Sequence, residues 1–209
     1  MEVKTMYHFQ FVSKKQCAPV KNDLITIITE VQNLLREDFT FRFDFVGSDK
    51  YDMVTYDPKT NIGFDFDVNI EVNDDENNFT AKEIKTKIIS ALNKVVYRYG
   101  YDYAEDSTRV ITIKCKDRQN SRILHSCDFA IVNNYVDAKG YDRQEYIRFN
   151  KKQNTYSWTE QPKGYYMLPE KAEWIKENGY QDEMRESFKF CVNGSIPKVH
   201  LINPHIQIQ

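Results

Sequence analysis

The stretch GFDFDVNIEV, from Gly63 to Val72, alternates without a break. Phe64, Phe66, Val68 and Ile70 fall on one side of an extended chain, and Asp65, Asp67, Asn69 and Glu71 fall on the other. That period admits a half-buried strand and no helix. Two carboxylates at i and i+2 project side by side, about 7 Å apart at about 3.3 Å per residue. Their repulsion has to be compensated by water, by an Arg or Lys, or by a divalent metal. Polar groups on a sheet face point to solvent by default, so the pair alone does not choose among these.

The flanking segments supply the rest of a sheet and its helical cover. Leu24, Ile27, Ile28, Val31, Leu34 and Leu35 recur at helical spacing and predict an amphipathic helix over 22–36, with Asn22 or Asp23 as N-cap. TFRFDFVGS, from Thr40 to Ser48, switches to period two and ends on a Gly-Ser pair, a strand entering a tight turn. The break at Asp57-Pro58-Lys59-Thr60-Asn61 predicts a hairpin whose return strand is the acidic one. After the polar loop NDDENN, Thr80 and Glu83 form a capping box that opens a helix running to about Tyr99, where Gly100 stops it. RVITIKCK and RILHSCDFAIV predict two more strands, the second apolar enough at its end for burial on both faces. YIRFNKKQNTYSWTE predicts a further hairpin, and helices follow from Leu168 to about Gly179 and from Asp182 to Phe190. NGSIPKVHLINPHIQIQ supports no assignment.

Composition bounds the function classes. A chain of 209 residues with 41% hydrophobic and 14% aromatic content can bury a sizeable core. Its net charge of -2 does not advertise nucleic-acid or membrane binding. The four cysteines, Cys17, Cys115, Cys127 and Cys191, show no zinc spacing and suit a reducing compartment. The N-terminal residues lack the apolar run of a signal peptide, and no segment of roughly 18 apolar residues occurs. A soluble cytoplasmic protein is expected, as a monomer or homodimer.

Asp128 changes the weight of the acidic pair. Between Cys127 and Phe129 in an apolar strand, a charged aspartate without donors or a cation costs several kcal/mol. If its strand lies beside the acidic one, three carboxylates converge and need a cation. Aspartates without His or Cys select hard ions, Mg2+ or Mn2+, with phosphate oxygens completing the shell. Gly47 and Ser48, at the end of the preceding strand, offer backbone N–H groups and a hydroxyl for those phosphates.

In this order, FVGS, FDFDV and CDFAIV resemble the signature motifs of the DNA polymerase β-like nucleotidyltransferase superfamily, in its small bacterial and oligoadenylate-synthase-like branches. The resemblance spans residues 22 to 132. It implies an α+β fold: a mixed-sheet palm with helices on one face over residues 1–164, and a small helical appendage over 165–209. It further implies Asp65, Asp67 and Asp128 as ligands of two divalent ions, and Gly47 and Ser48 on the nucleotide phosphates. The activity implied is transfer of NMP from an NTP, ATP included, to a hydroxyl acceptor (a small molecule, a protein or an RNA end), with release of pyrophosphate. The alternative is an inactive palm that binds nucleotide or a protein partner.

Other residues carry paired readings. Tyr156 and Trp158 are candidates to stack on a base, or they pack as ordinary aromatics. Lys151 and Lys152 either meet phosphates or are solvated. His125 either assists the site or is structural, and Cys127 is a packing neighbour of Asp128 rather than a nucleophile.

Overall fold

The computed structural model describes residues 8–60, 62–74, 78–162 and 168–192. The final segment from 193 on, which the sequence left unassigned, lies outside them. The fold is α+β, built on a seven-stranded mixed sheet. Its main path runs β2 (Thr40–Val46), β4 (Phe64–Asn73), β7 (Arg122–Val136), β6 (Ile111–Asp117) and β5 (Glu105–Asp106). Also in it are β8 (Asp142–Asn150), which pairs β7, and β9 (Thr155–Glu160), which pairs β8. A separate two-stranded ribbon joins β1 (Gln10–Phe11) to β3 (Thr55–Tyr56).

The alternation of β4 sets the two faces of the sheet. Phe66, Val68 and Ile70 are buried together with Ile111 and Ile113 of β6, Cys127, Phe129 and Ile131 of β7 and Ile147 of β8. Over this face lie α1 (Lys14–Leu35) and α3 (Ala81–Val95), which contribute Leu24, Ile27, Ile28 and Val31, and Ile84, Ile88, Leu92 and Val95. The apolar stripes of both helices are thus removed from water at roughly 25 cal/mol per Å² of apolar surface. The opposite face carries the aspartates.

α3 begins at the capping box read from sequence: the Thr80 hydroxyl accepts the Glu83 N–H and the Glu83 carboxylate accepts the Thr80 N–H. A short 3-10 turn, Val96–Tyr99, follows, and Gly100 closes it at φ 80°. α1 departs from expectation. It starts at Lys14, two turns before Asn22, because Ser13 and Gln16 form a second capping box and Pro19 is accommodated within the helix. The expected 51–72 hairpin also fails. β4 pairs antiparallel with β2, from Thr40↔Asn73 to Val46↔Asp67, while β3 turns away to β1. Asp57 is fully buried there and accepts the backbone N–H of His8 and of Lys59, which fixes the diverging course of the chain.

The hairpin expected over 146–160 forms, with its first strand beginning earlier, at Asp142, and a turn at Lys151–Asn154. α4 (Leu168–Glu177) and α5 (Gln181–Val192) follow, with Gly179 at φ 76° between them. Arg185 of α5 lies over the ring of Phe11, 4.9 Å from its centroid. No helix among the described residues is long and apolar enough to cross a membrane.

β4 and β7 run parallel and approach closely at their start. A Cβ on Gly63 would stand 2.3 Å from the Leu124 carbonyl oxygen and 2.5 Å from that of Ile123. Both are backbone atoms of a paired strand and cannot rotate away. Gly63→Ala is expected to cost roughly 2 to 3 kcal/mol and to lower the midpoint of urea denaturation without changing its slope.

Candidate metal and nucleotide site

The parallel register of β4 and β7 places Asp65 opposite Ser126 and Asp67 opposite Asp128. Since Asp65 and Asp67 share a face and Asp128 is level with Asp67, the three carboxylates meet on the side away from the helices. One oxygen from each lies within 4.8 Å of the others. The reading from sequence was conditional on the two strands being neighbours, and they are.

Among the described residues no Lys or Arg makes an ion pair with any of the three. Burial pushes the Asp65 carboxyl up to about 7, with the Asp128 and Asp67 charges adding to it, while the Ser126 hydroxyl and the Phe66 N–H favour the ionised form. Burial and then the Asp128 charge raise Asp67. Asp128 is raised by burial, opposed by the Thr112 hydroxyl and by Lys114. Asp65 Oδ1 is buried without a hydrogen-bond partner. An orphaned carboxylate oxygen, three all-oxygen donors and a negative field with no ion-paired cation among the described residues fit a hard divalent cation.

Thr112, across from Asp128 on β6, donates its hydroxyl to Asp128 Oδ1 at 2.5 Å. This engages one of the two carboxylate oxygens of Asp128. Lys114 is committed to Glu105 at 2.6 Å. Neither residue was singled out from sequence, although both occupy the outward phase of ITIKCK, between Ile111, Ile113 and Cys115.

The Gly-Ser pair arrives from the other side. β2 ends at Val46, level with Asp67, and Gly47–Lys50 forms a single helical turn, α2. Gly47 adopts φ 64°, and a Cβ there would stand 2.2 Å from Asp67 Oδ2. Gly47 therefore touches the central carboxylate, and Ser48 follows immediately. The turn is tied from behind. Lys21 of α1 meets Asp49 Oδ2 at 2.6 Å, with its ammonium 4.6 Å from the centre of the Phe45 ring.

Tyr156 and Trp158 are not brought to the carboxylates. Both pack against the core on the helix-covered face. Tyr156 stacks on Phe149 at 4.5 Å and donates its hydroxyl to Asp106, which also pairs with the buried Lys85. His125 lies between the rings of Phe64 and Tyr101, where burial lowers its pKa. Cys127 is fully buried and its thiol is pushed well up, in keeping with a packing role. Lys151 and Lys152 sit in the exposed β8–β9 turn.

The sheet and its helical cover have counterparts among solved structures. The chain superposes on the Vibrio cholerae DncV cyclic AMP-GMP synthase, a prokaryotic cGAS homologue, with a TM-score of 0.57 at 10% identity, over 87% of this chain and 61% of that one. It superposes on the STING-associated CdnE c-di-GMP synthase of Capnocytophaga granulosa with a TM-score of 0.53 at 13% identity, over 88% of this chain and 54% of the other. These likenesses establish the fold, that of the DNA polymerase β-like nucleotidyltransferases, in the form shared with bacterial cyclic-dinucleotide synthases. The chain spans less than two thirds of either relative. No family model matches the sequence, and no curated protein matches it.

Proposed function

We propose that the protein is a metal-dependent nucleotidyltransferase that moves NMP from an NTP to a hydroxyl acceptor and releases pyrophosphate. The observation that carries this is the convergence of Asp65, Asp67 and Asp128, unpaired and partly buried, beside a glycine that admits no side chain. A surface cluster of acids kept only for solubility has no reason to suffer raised pKa values. The two structural relatives that share this fold are a cyclic AMP-GMP synthase and a c-di-GMP synthase, which supports the reading.

Asp65, Asp67 and Asp128 would hold the divalent ions, Mg2+ or Mn2+. Bound there, such ions lower the pKa of an acceptor hydroxyl and neutralise charge on the phosphates. The Ser48 hydroxyl and the backbone N–H groups of the turn orient the triphosphate against these carboxylates. Asp128, with Oδ1 engaged by Thr112, keeps Oδ2 to accept the acceptor's proton. The acceptor oxygen forms its bond to the α-phosphorus, and the bond from that phosphorus to the bridging oxygen of pyrophosphate breaks. Positioning and fixed charge supply most of the acceleration.

The test is incubation with each labelled NTP and Mg2+ or Mn2+, with and without RNA and small hydroxyl compounds. Labelled product and pyrophosphate are expected, and Asp67→Ala is expected to abolish both. Nucleotide binding that persists in Asp67→Ala, with no pyrophosphate from any mixture containing wild-type protein, would instead establish the inactive binding palm.

A further inference from the structure

The main path of the sheet ends at β2, which pairs with β4 and with no other strand among the described residues. β5, at the other end of that path, is two residues long, whereas β2 runs from Thr40 to Val46. A long free edge is a template for another strand, and folds usually blunt it with proline, lysine, a bulge or a covering segment. β2 holds no proline and no lysine, and its register with β4 shows no shift. One hydrogen bond sets the phase of its outward groups. Gln32 Nε2 of α1 donates to the Phe41 carbonyl at 2.8 Å, so that carbonyl faces away from β4. In an antiparallel pair alternate residues turn both backbone groups to the same side, which places the N–H and C=O of Phe43 and Phe45 outward as well. No turn or loop backbone group among the described residues bonds to either.

Set antiparallel to a copy of itself, TFRFDFV is self-complementary about its centre. A two-fold axis at Phe43 puts Phe43 opposite its own counterpart, Arg42 opposite Asp44 on either side of it, and Phe41 opposite Phe45 beyond them. Phe41, Phe43 and Phe45 then exchange ladder hydrogen bonds only with one another, as their phase requires. The Phe41 oxygen keeps a second lone pair for this beside its bond to Gln32. The charged pairs fall at the closer, non-hydrogen-bonded positions. The neighbouring registers that keep the phase set Arg42 against Arg42 or Asp44 against Asp44, and like charges directly opposed destabilise a strand pair. Both side chains are available. Asp44 is exposed and makes no ion pair among the described residues. Arg42 is exposed and engages Glu71 only through Nε and Nη2, which leaves guanidinium N–H groups free to donate.

We propose that β2 is the interface of a homodimer, in which two copies join edge to edge about Phe43 and the sheet continues through both. The occupant is a second copy because β2 itself supplies the reversed order of charges that its edge requires. Phe41, Phe43 and Phe45 meet their counterparts on the helix-covered side, where the rings of Phe43 and Phe45 are only half-buried in the single chain. Arg42 and Asp44, level with Glu71 and Asn69, meet theirs on the carboxylate face. Asp44 lines a groove of about 380 Å³ on that face with Val46 and Asn69, and Val46 is level with Asp67. The partner's Arg42 thus pairs with Asp44 at the wall of this groove, and each copy sets a charge beside the other's site. Two-fold pairing consumes both β2 edges, so the assembly closes at the dimer. The interface does not depend on the nucleotidyltransferase reading.

The experiment is sedimentation velocity of the full chain over a concentration series, on wild type, Arg42→Asp, Asp44→Arg and an equimolar mixture of the two variants. Wild type is expected to sediment as a dimer that dissociates on dilution. Each variant sets like charges opposite each other at two symmetric places, so its dimer should be roughly tenfold weaker or more. The mixture restores the pairing. One variant carries an acid at both positions and the other a base at both, so every cross pair is again opposite in sign and a heterodimer should form. Hydrogen exchange on wild type reads the same interface without substitution: the Phe43 and Phe45 amides should be protected at high concentration and lose that protection on dilution. A wild type that is monomeric throughout overturns the proposal. So do variants that dimerise as wild type does, folded variants whose mixture stays monomeric, or Phe43 and Phe45 amides whose exchange ignores concentration.

Discussion

Asp65→Asn is expected to make the metal-free protein more stable at pH 8 while abolishing nucleotidyl transfer. The two effects share one cause. Burial and the charges of Asp128 and Asp67 move the Asp65 carboxyl to about 7. A shift of that size corresponds to roughly 4 kcal/mol of unfavourable interaction with the ionised form. Discounted for the partial exposure of the cluster, about 2 kcal/mol is the expected gain from a neutral isostere. The sign follows from proton linkage. Between about pH 4 and pH 7 the folded protein holds a proton on Asp65 that the unfolded chain has released, so stability falls as pH rises through this window. Above it the full penalty is present. The melting temperature of Asp65→Asn at pH 8 should therefore exceed that of wild type by roughly 4 to 8 °C without metal, and the gap should close at pH 4.5. Saturating Mn2+ should stabilise wild type and leave Asp65→Asn nearly unmoved, because the variant has lost a ligand. A variant no more stable than wild type at pH 8 would mean that the carboxylates are already compensated, and the metal reading would lose its physical basis.

That prediction depends on a contact between β4 and β7 that no local pattern contains. The alternation of GFDFDVNIEV identified which residues share a face, and the apolar flanks of Asp128 identified a buried charge. Register between strands more than fifty residues apart is set by packing of the whole sheet, so convergence of the three aspartates remained conditional until Asp67 was seen level with Asp128. The same limit explains the failed 51–72 hairpin. Turn residues at Asp57–Asn61 mark a reversal of the chain, but β4 had a better partner in β2, whose Phe41, Phe43 and Phe45 match Val72, Ile70 and Val68 on the core side. The early start of α1 was not legible because three lysines, a cysteine and a proline over 14–21 give no apolar period, while the capping box at Ser13 starts the helix. Tyr156 and Trp158 show the converse difficulty. An alternating aromatic strand reveals a face without saying which side of the sheet it joins, and here that side is the helical one.

Gly47→Ala is expected to be as damaging to the site as loss of an aspartate, although it removes nothing. Two penalties combine at this residue. Its φ of 64° lies in the left-handed region, which costs an alanine roughly 1 to 2 kcal/mol. The added methyl would also stand 2.2 Å from Asp67 Oδ2 and 3.0 Å from Asp67 Cγ, so the central carboxylate has to swing away. Either the turn or the ligand moves. Transfer activity should fall at least about a hundredfold, since a displacement near 1 Å at a reacting centre has that scale, and Mn2+ affinity should fall with it. The two penalties separate in a double-mutant cycle with Asp67→Ala. The backbone cost is common to both backgrounds, as is a tight 3.2 Å approach to Asp67 Cβ, whereas the severe clash exists only while Asp67 keeps its carboxylate. Gly47→Ala should therefore lower the melting temperature clearly less in the Asp67→Ala background than in wild type. Equal losses in the two backgrounds would show that the turn does not touch the carboxylate. Ser48 would then have no fixed relation to the metal cluster, and phosphate binding at this turn would have to be abandoned.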